Sequence, residues 1–304
     1  MGLNQVVFVF LIVFALWAIF ATSLKHAIIT SGVFGLWASL AYLLYAAPDV
    51  AVSEAVVASS LGTVLLIITI RNYNDHSVRG LPGLLWHRKG ADLLMLGVGV
   101  LTLWLTFQTA ALAQTPLHAE VISRFLDSPR NVNPVSSILL HYRVLDTVLE
   151  ALMLLVAVLA VMHLTRGSGQ MASTAYHVMS RRHPTLITAL RILTPILLVA
   201  GAALIVGDPL TPGGGFQGAG LLAAVVVGRY LVGSRGVETT KPFESLEKLV
   251  FTVFVLAVAA YVFLGVLSFT PEVYPIYMLA MNGLLGLKVF CGLSVMFLYF
   301  ASEN

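Results

Sequence analysis

Charged residues are scarce in this chain. Asp, Glu, Lys and Arg make up 10% of its 304 residues, whereas hydrophobic residues make up 59%. A soluble domain carries about 25% charged residues, so a chain this poor in charge does not cover a water-facing surface. The composition therefore predicts an integral membrane protein, and it argues against a disordered chain, a soluble enzyme and a nucleic-acid-binding protein.

Cysteine is nearly absent as well. The single Cys291 excludes an internal disulfide and a cysteine-based metal cluster. No large hydrophilic segment is present, and no nucleophile–base pair is recognisable. We therefore expect no cofactor and no enzymatic activity in this chain, with any redox or nucleotide chemistry on partner chains.

Long apolar runs take up most of the sequence. A helix of about 20 apolar residues crosses a hydrocarbon core of about 30 Å. The runs predict an all-α, polytopic membrane bundle of nine spans, at 4–24, 26–46, 49–70, 91–113, 143–164, 187–207, 216–233, 247–268 and 274–300. The first run lacks a basic segment before it and a small-residue cleavage site, so we expect a retained helix.

Basic residues are concentrated in alternate linkers. Lys25 lies between the first two runs, and clusters of Arg and Lys follow the third, fifth and seventh runs, whereas the other linkers carry only Arg124 and Arg130. The positive-inside rule then places the N-terminus on the outer side of the plasma membrane and the C-terminus on its inner, cytoplasmic side. The net charge of +3 is thus explained by topology and not by nucleic-acid binding.

A few charged residues nevertheless fall within or at the edge of the apolar runs. An ionised group at mid-bilayer costs about 2.5–3.5 kcal/mol on insertion scales, so each needs a partner, a water cavity or neutralisation. These residues are the candidates for an ion pathway: Glu54, Arg143, Asp146, Glu150 and Lys288.

Arg143, Asp146 and Glu150 are spaced so that they share one stripe of a helix. Arg143 can pair with Asp146, which leaves Glu150 one turn deeper without an obvious local partner. A carboxyl group withdrawn from water can exchange protons near neutral pH. Glu150 is therefore a candidate proton relay; alternatively, it pairs with a Lys or Arg of a neighbouring subunit and only holds helices together.

Glu54 follows Pro48 and Asp49 and is surrounded by small residues, which allow close helix packing. Because Ser and Gly tolerate a π-bulge and such bulges cluster at functional sites, we predict one near Ser59. The small residues around Glu54 could leave room for water beside a buried carboxylate. Alternatively, the Glu54 carboxylate reaches the outer interface of the membrane.

Lys288 is the deepest basic residue, and it is either a relay member or the counter-charge of a carboxylate. His141 and His163 bracket the fifth run. They fit interface histidines better than haem ligands, because no second facing pair of histidines is evident.

Residues 207–228 (GDPLTPGGGFQGAGLLAAVVVG) open a helix with a glycine-rich stretch. No Lys follows the glycines, so the stretch is not a phosphate-binding loop. Its bare amides could hold an anion or a carboxylate; alternatively, it forms a tight turn whose small residues pack helix on helix. The candidate structural motif consists of Pro212, Gly213, Gly214, Gly215, Phe216, Gln217 and Gly218.

Three stretches of the sequence resemble subunits of one group of membrane complexes. Residues 47–70 (APDVAVSEAVVASSLGTVLLIITI) resemble the D module of membrane-bound hydrogenases, which in Mrp-type sodium/proton antiporters forms part of the C-terminal region of the large A subunit. Residues 132–164 resemble the adjoining E module. Residues 185–300 resemble the antiporter B subunit, through TPGGGFQG at 211–218 and NGLLGLKVFCGLSV at 282–295.

The resemblance implies a subunit of a large membrane complex related to respiratory complex I. It implies that Glu54 and Glu150 lie on an ion pathway, and it supports the π-bulge near Ser59. The sequence departs from the E pattern at His141 to Val144, which replace an acid-aromatic-Arg-Gly run, and at Leu149, which replaces a glycine.

From this resemblance we expect a D-like module at 1–113, where the fourth span begins the E module, the rest of the E-like module at 114–165 and a B-like domain at 185–304. The expected function is ion translocation in a multisubunit cation/proton antiporter-like complex. The expected partners are other membrane subunits, the lipid bilayer, protons and sodium ions. Three alternatives remain: the same module in an energy-converting hydrogenase or sulfur reductase, a structural subunit that does not conduct ions, and a stand-alone transporter.

Overall fold

A computed structural model of the chain describes residues 3–71, 133–165, 184–207, 213–232, 240–263 and 273–302, with the isolated residues 97–98, 101 and 104–105. The chain divides into two compact units, Met1–Asn72 with Val132–Asn304, and Tyr73–Asn131. Everything below concerns the first unit. The predicted span at 91–113 belongs to the second unit and lies almost wholly outside the described residues.

The secondary structure in the described residues of the first unit is entirely helical. Helix α3 is continuous through three segments, Pro48–Ser53, the π-helical Glu54–Gly62 and Thr63–Arg71, and α4 comprises Pro134–Ser137 and the π-helical Ile138–Tyr142. The other helices are α1 (Leu3–Ile19), α2 (Leu24–Leu44), α5 (Val144–Thr165), α6 (Pro184–Gly207), α7 (Gly215–Val232), α8 (Lys241–Phe263) and α9 (Tyr274–Ser302).

Six of these helices, namely α2, α3, α5, α6, α8 and α9, are long and apolar enough to cross a membrane. The chain is therefore a multi-pass, all-helical membrane protein, as the composition predicted, in keeping with a place in the plasma membrane. The total of nine spans and their orientation stay predictions.

Two helix boundaries differ from the predicted spans for reasons visible in the structure. Helix α1 ends at Ile19 because Ser23 already caps α2, its hydroxyl accepting a hydrogen bond from the amide of His26 at 3.3 Å. Helix α8 begins at Lys241, six residues before the predicted span, because its first turns are polar but helical. Glu247 consequently lies inside the helix and not at its start.

Helix α9 is the centre of the unit. Its buried side chains take part in three apolar clusters, in which they pack against side chains of α5, α7 and α8. Within its most apolar window 56% of the residues are buried, against 6% for α6. The outer face of α6 is therefore left for lipid or another chain.

Glycines set how closely α6, α7 and α9 approach. A methyl group added at Gly218 of α7 would lie 2.5 Å from the carbonyl oxygen of Gly201 in α6, and one added at Gly215 would lie 2.9 Å from the amide nitrogen of Gly286 in α9. Real Cβ atoms essentially never come that close to another heavy atom, so larger residues would push the helices apart.

We predict that Gly218→Ala destabilises the protein by about 1–3 kcal/mol, because the added methyl overpacks the α6–α7 contact. The measurement is the apparent melting temperature of the purified full-length chain by size-exclusion chromatography after heating. The matched control is Gly283→Ala in α9, where an added methyl meets nothing within 4 Å among the described residues. Equal melting temperatures for the two variants would contradict the close α6–α7 packing.

Candidate ion-translocation site

A buried ion pair joins α8 to α9 in the core of the unit. The ammonium nitrogen of Lys288 lies 3.3 Å from Oε1 of Glu247, and the two side chains are 0% and 1% exposed. The Lys288 nitrogen also lies 5.8 Å from the centre of the Phe251 ring, within the range of a cation–π attraction. Lys288 is thus placed beside a carboxylate, as a counter-charge would be.

Each charge of this pair lies beside the opposite charge, but the charged atoms lack hydrogen-bond partners in the part of the chain that the structure describes. Both carboxylate oxygens of Glu247 and the nitrogen of Lys288 are buried without a hydrogen-bond partner among the described residues. Removing such groups from water costs several kcal/mol per ion, which their attraction repays only when the remaining lone pairs and protons are also bonded. Water or an ion at the pair would supply those bonds, so the arrangement suits a group that exchanges protons.

Glu247 was not among the candidate residues from the sequence, although the predicted span at 247–268 begins at it. The position of Glu247 relative to the apolar residues that follow it could have identified it as buried. Glu247 shares one stripe of α8 with the buried residues Phe254, Val258 and Tyr261, at intervals of seven, four and three. A carboxylate on the buried stripe of a membrane helix needs a cation from a neighbouring helix.

Glu54 opens the π-helical segment of α3, which confirms the predicted π geometry around Ser59. Its carboxylate faces α2, since a methyl added at Gly35 would lie 3.2 Å from Oε1 of Glu54. Serine hydroxyls satisfy backbone carbonyls along this contact: Ser59 donates to the carbonyl of Gly32 at 3.0 Å, and Ser39 donates to that of Ala51 at 2.6 Å. Glu54 is half-buried on a polar contact between two helices.

The glycine-rich motif holds a carboxylate of the same chain. The amide of Gly213 donates to Oδ1 of Asp49 at 2.6 Å, and both residues are buried. The Gln217 amide group donates to the hydroxyl of Ser53 at 2.8 Å. Of the two interpretations of the motif, the structure shows features of both: a bare amide binds a carboxylate, and the glycines pack closely.

Asn282 of α9 connects the end of α6 to the start of α7. Its Oδ1 accepts from the amide of Gly215 at 2.6 Å, and its Nδ2 donates to the carbonyl of Ile205 at 2.8 Å. Gly214 has a φ of +154°, which favours glycine at this turn. Phe216 packs against the core of α8 and α9, and Pro212 lies outside the described residues.

Arg143 and Asp146 form the predicted ion pair, with Nε of Arg143 donating to Oδ2 of Asp146 at 2.6 Å. The pair is exposed on the surface of this chain, with side chains 65% and 46% accessible. Glu150 is also exposed, on the outward face of α5, and within the described part of the chain no hydrogen bond or ion pair joins it to Glu54 or Lys288. The structure therefore does not gather the predicted residues into one cluster.

Comparison with known proteins gives two family matches. Residues 9–75 match the MbhD family, described as the D subunit of MBH, and residues 185–301 match the domain related to the MnhB subunit of the Na+/H+ antiporter. The fold and these matches define a multi-pass membrane protein of the antiporter-related class. The chain itself joins an MbhD-like segment and an MnhB-like domain in one polypeptide.

One chain of a solved structure, that of the Mrp complex from Dietzia sp. DQ12-45-1b, has a similar fold. The TM-score is 0.74 at 19% identity, and the similarity covers 99% of this chain and 35% of that chain. The present chain thus spans about a third of the length of its structural neighbour. No curated protein sequence matches it.

We predict that either Glu247→Gln or Lys288→Met alone destabilises the chain by about 3–5 kcal/mol, because each leaves an uncompensated buried charge. The double variant should recover much of that loss, since it removes both charges. The melting temperature of the full-length protein in detergent measures each effect. Arg143→Gln is the control, because breaking an exposed pair costs only about 0–1 kcal/mol; a double variant as unstable as the sum of its singles would contradict the pairing.

Proposed function

We propose that this protein is a membrane subunit of a multisubunit Mrp-type cation/proton antiporter-like complex, and that its buried charges take part in ion translocation. The transported species are protons and sodium ions, and the chain has no enzymatic activity of its own. Its partners are other membrane subunits of the complex. Both family descriptions support this proposal, since each names a subunit of a larger assembly.

The observation that carries the proposal is the Glu247–Lys288 pair. A buried pair whose hydrogen bonds are incomplete is often less stable than apolar residues of the same size. Ionisable groups inside a membrane protein are expensive, and they mark ion and proton pathways. A proton that moves between this carboxylate and this amine converts two charges into two neutral groups, and movement of nearby charge would bias that equilibrium.

The residues selected from the sequence take the following roles in this proposal. Glu54 and Glu150 are protonatable groups, and Lys288 is the counter-charge of Glu247. Arg143 and Asp146 form an electrostatic pair that orients the start of α5. The glycine-rich motif does not conduct; it holds α3, α7 and α9 in register around the pair.

The Glu150 face of α5 is the proposed contact with another membrane subunit. Glu150 is exposed among large apolar neighbours, with Leu149 57% and Met153 72% accessible. An ionised carboxylate that faced lipid at this position would cost about 2.5–3.5 kcal/mol. A partner helix that brings a cation or a hydrated groove to Glu150 removes that cost, and it would complete the pathway at this point.

A membrane-bound hydrogenase-type complex, or a related sulfur reductase, is the second candidate. The match of residues 9–75 to the MbhD family favours it. In that setting the same helices would translocate ions while the redox reaction took place on other chains. Mass spectrometry of the intact purified complex distinguishes the two: a nickel-iron or iron-sulfur subunit supports the oxidoreductase, and antiporter-like membrane subunits without one support the antiporter.

We predict that Glu247→Gln lowers sodium/proton exchange by the purified complex in proteoliposomes by roughly a hundredfold, the scale on which loss of a proton-transferring group acts. Glu150→Gln should lower exchange as well. Glu244→Gln, three residues from Glu247 on α8, is the control and should exchange normally. Complexes with Glu247→Gln and Glu150→Gln that assemble and retain full exchange would identify a non-conducting, structural subunit.

We predict that Met153→Cys, in a Cys291→Ser background and labelled with a photoactivatable maleimide, crosslinks to another subunit in the intact complex. Cys291 is the only native cysteine and is buried, so the label would report the α5 face alone. The same variant expressed without partner subunits should yield no protein adduct. Adducts with lipid alone in the intact complex would show that no subunit covers this face.

A further inference from the structure

A second group of polar side chains lies at the opposite end of the α8–α9 contact from the ion pair. His141, in the π-helical part of α4, contacts the hydroxyl of Tyr261 through Nδ1. The His141 ring also meets the rings of Tyr142 and Tyr274 edge to face, at centroid distances of 4.6 and 5.5 Å. Tyr277 stacks on Tyr261 at 4.8 Å. These residues, His141, Tyr142, Tyr261, Tyr274 and Tyr277, are called the His141 cluster below.

The backbone around His141 explains how the cluster is held. The helix is interrupted at Arg143, whose φ and ψ of −120° and 31° are not helical. Two carbonyls of the π-helical segment before the interruption accept hydrogen bonds from side chains: that of Leu140 accepts from Tyr277 at 2.9 Å, and that of Leu139 accepts from Thr147 at 2.7 Å. One tyrosine of the cluster is thus anchored to the backbone next to His141, which fixes the position of the imidazole.

The cluster lies at a boundary between the surface of the chain and its core. Tyr142 is 66% exposed, His141 is half-buried, and Tyr261 and Tyr274 are only 4% and 1% exposed. One side of the imidazole is therefore close to the outer surface of the chain, while Nδ1 points into the core. Histidine is the side chain whose charge changes most readily near neutral pH, so this is a suitable place for a proton to bind.

We propose that His141 is a proton-binding site that is separate from the Glu247–Lys288 pair. The charge state of His141 affects the α8–α9 contact through the hydrogen bond between His141 and Tyr261. In the neutral ring Nδ1 accepts the hydrogen bond from the Tyr261 hydroxyl, and Nε2 carries the proton. When the ring takes up a further proton from solution, it becomes imidazolium with a hydrogen on each nitrogen, and Nδ1–H then donates to the tyrosine oxygen. The tyrosine O–H must then turn to another acceptor, so the hydrogen bond reverses without any other reactant.

Among the described residues, each element packed against His141 contributes charged or titratable groups. Helix α8 contributes Tyr261, and α9 contributes Tyr274 and Tyr277. On its own side, Tyr142 follows His141, and the Arg143–Asp146 pair begins the next turn. The rings of Tyr142, Tyr261 and Tyr274 lie 4.6, 5.7 and 5.5 Å from the imidazole ring, centre to centre.

The cluster and the ion pair are two sites on one helix contact. Lys288 follows Tyr277 by eleven positions in α9, which is about 16 Å along a helix. The apolar residues Phe254, Met278, Met281 and Leu285 are buried in the core of α8 and α9. A proton at His141 would therefore act on the pair through the packing of α8 against α9, and it would not pass directly between the two sites.

The test is an infrared pH titration of the intact complex labelled with ¹³C-histidine. Subtracting the spectra of His141→Gln from those of the unaltered protein isolates the bands of His141. We expect a ring band that changes between the neutral and the protonated form with pH, and whose midpoint is displaced in Tyr261→Phe. The titration does not require transport, so it can fail while the proposed function holds. Equally, the proposed function can fail while His141 titrates as expected.

Two further variants keep the result interpretable. His163→Gln is the matched control, because His163 lies exposed in the last turn of α5; it should leave the His141 bands unchanged. If His141→Gln does not assemble, His141→Asn replaces it as the variant whose spectra are subtracted. A His141 band that does not change across the pH range in which the complex is stable, or one that titrates unaltered in Tyr261→Phe, would overturn the proposal.

Discussion

A single hydrogen bond between a backbone amide and a carboxylate sets the arrangement of the helices around the candidate site. Gly213 cannot bond its amide within α7, and in a hydrocarbon environment an unsatisfied amide costs several kcal/mol. Asp49 satisfies it from α3, and Asn282 satisfies the amide of Gly215 from α9. Because both partners reach the same turn, α3, α7 and α9 meet there, and α9 is fixed with Lys288 on the side that faces α8.

The two ion pairs of the described chain differ in what surrounds them. Arg143 and Asp146 are three residues apart, exposed and directly hydrogen-bonded, so water or a partner can solvate them. Glu247 and Lys288 come from different helices and are shut off from solvent. The first arrangement suits a fixed local structure. The second has protons and lone pairs that find no partner in the described part of the chain, which favours exchange.

Sequence patterns predicted the helices well because hydropathy depends on the residues of one segment at a time. They also located Lys288, the Arg143–Asp146 pair and the π segment around Ser59. They did not identify Glu247 as the partner of Lys288, or Asp49 as the ligand of Gly213, because these contacts join residues far apart in the chain, 164 positions in the second case. Nor did they predict the π segment before Arg143, whose carbonyls are satisfied by side chains from later helices.

The Asp49–Gly213 bond also affects how the protein is assembled. Its two residues lie in segments that match two families, each described as a subunit of its own, Asp49 in 9–75 and Gly213 in 185–301. In a single polypeptide the second segment finds the first at an effective concentration set by the connecting chain, and not by the expression level of a separate protein. Fusion therefore fixes a one-to-one stoichiometry of the two segments and makes their docking an intramolecular folding step.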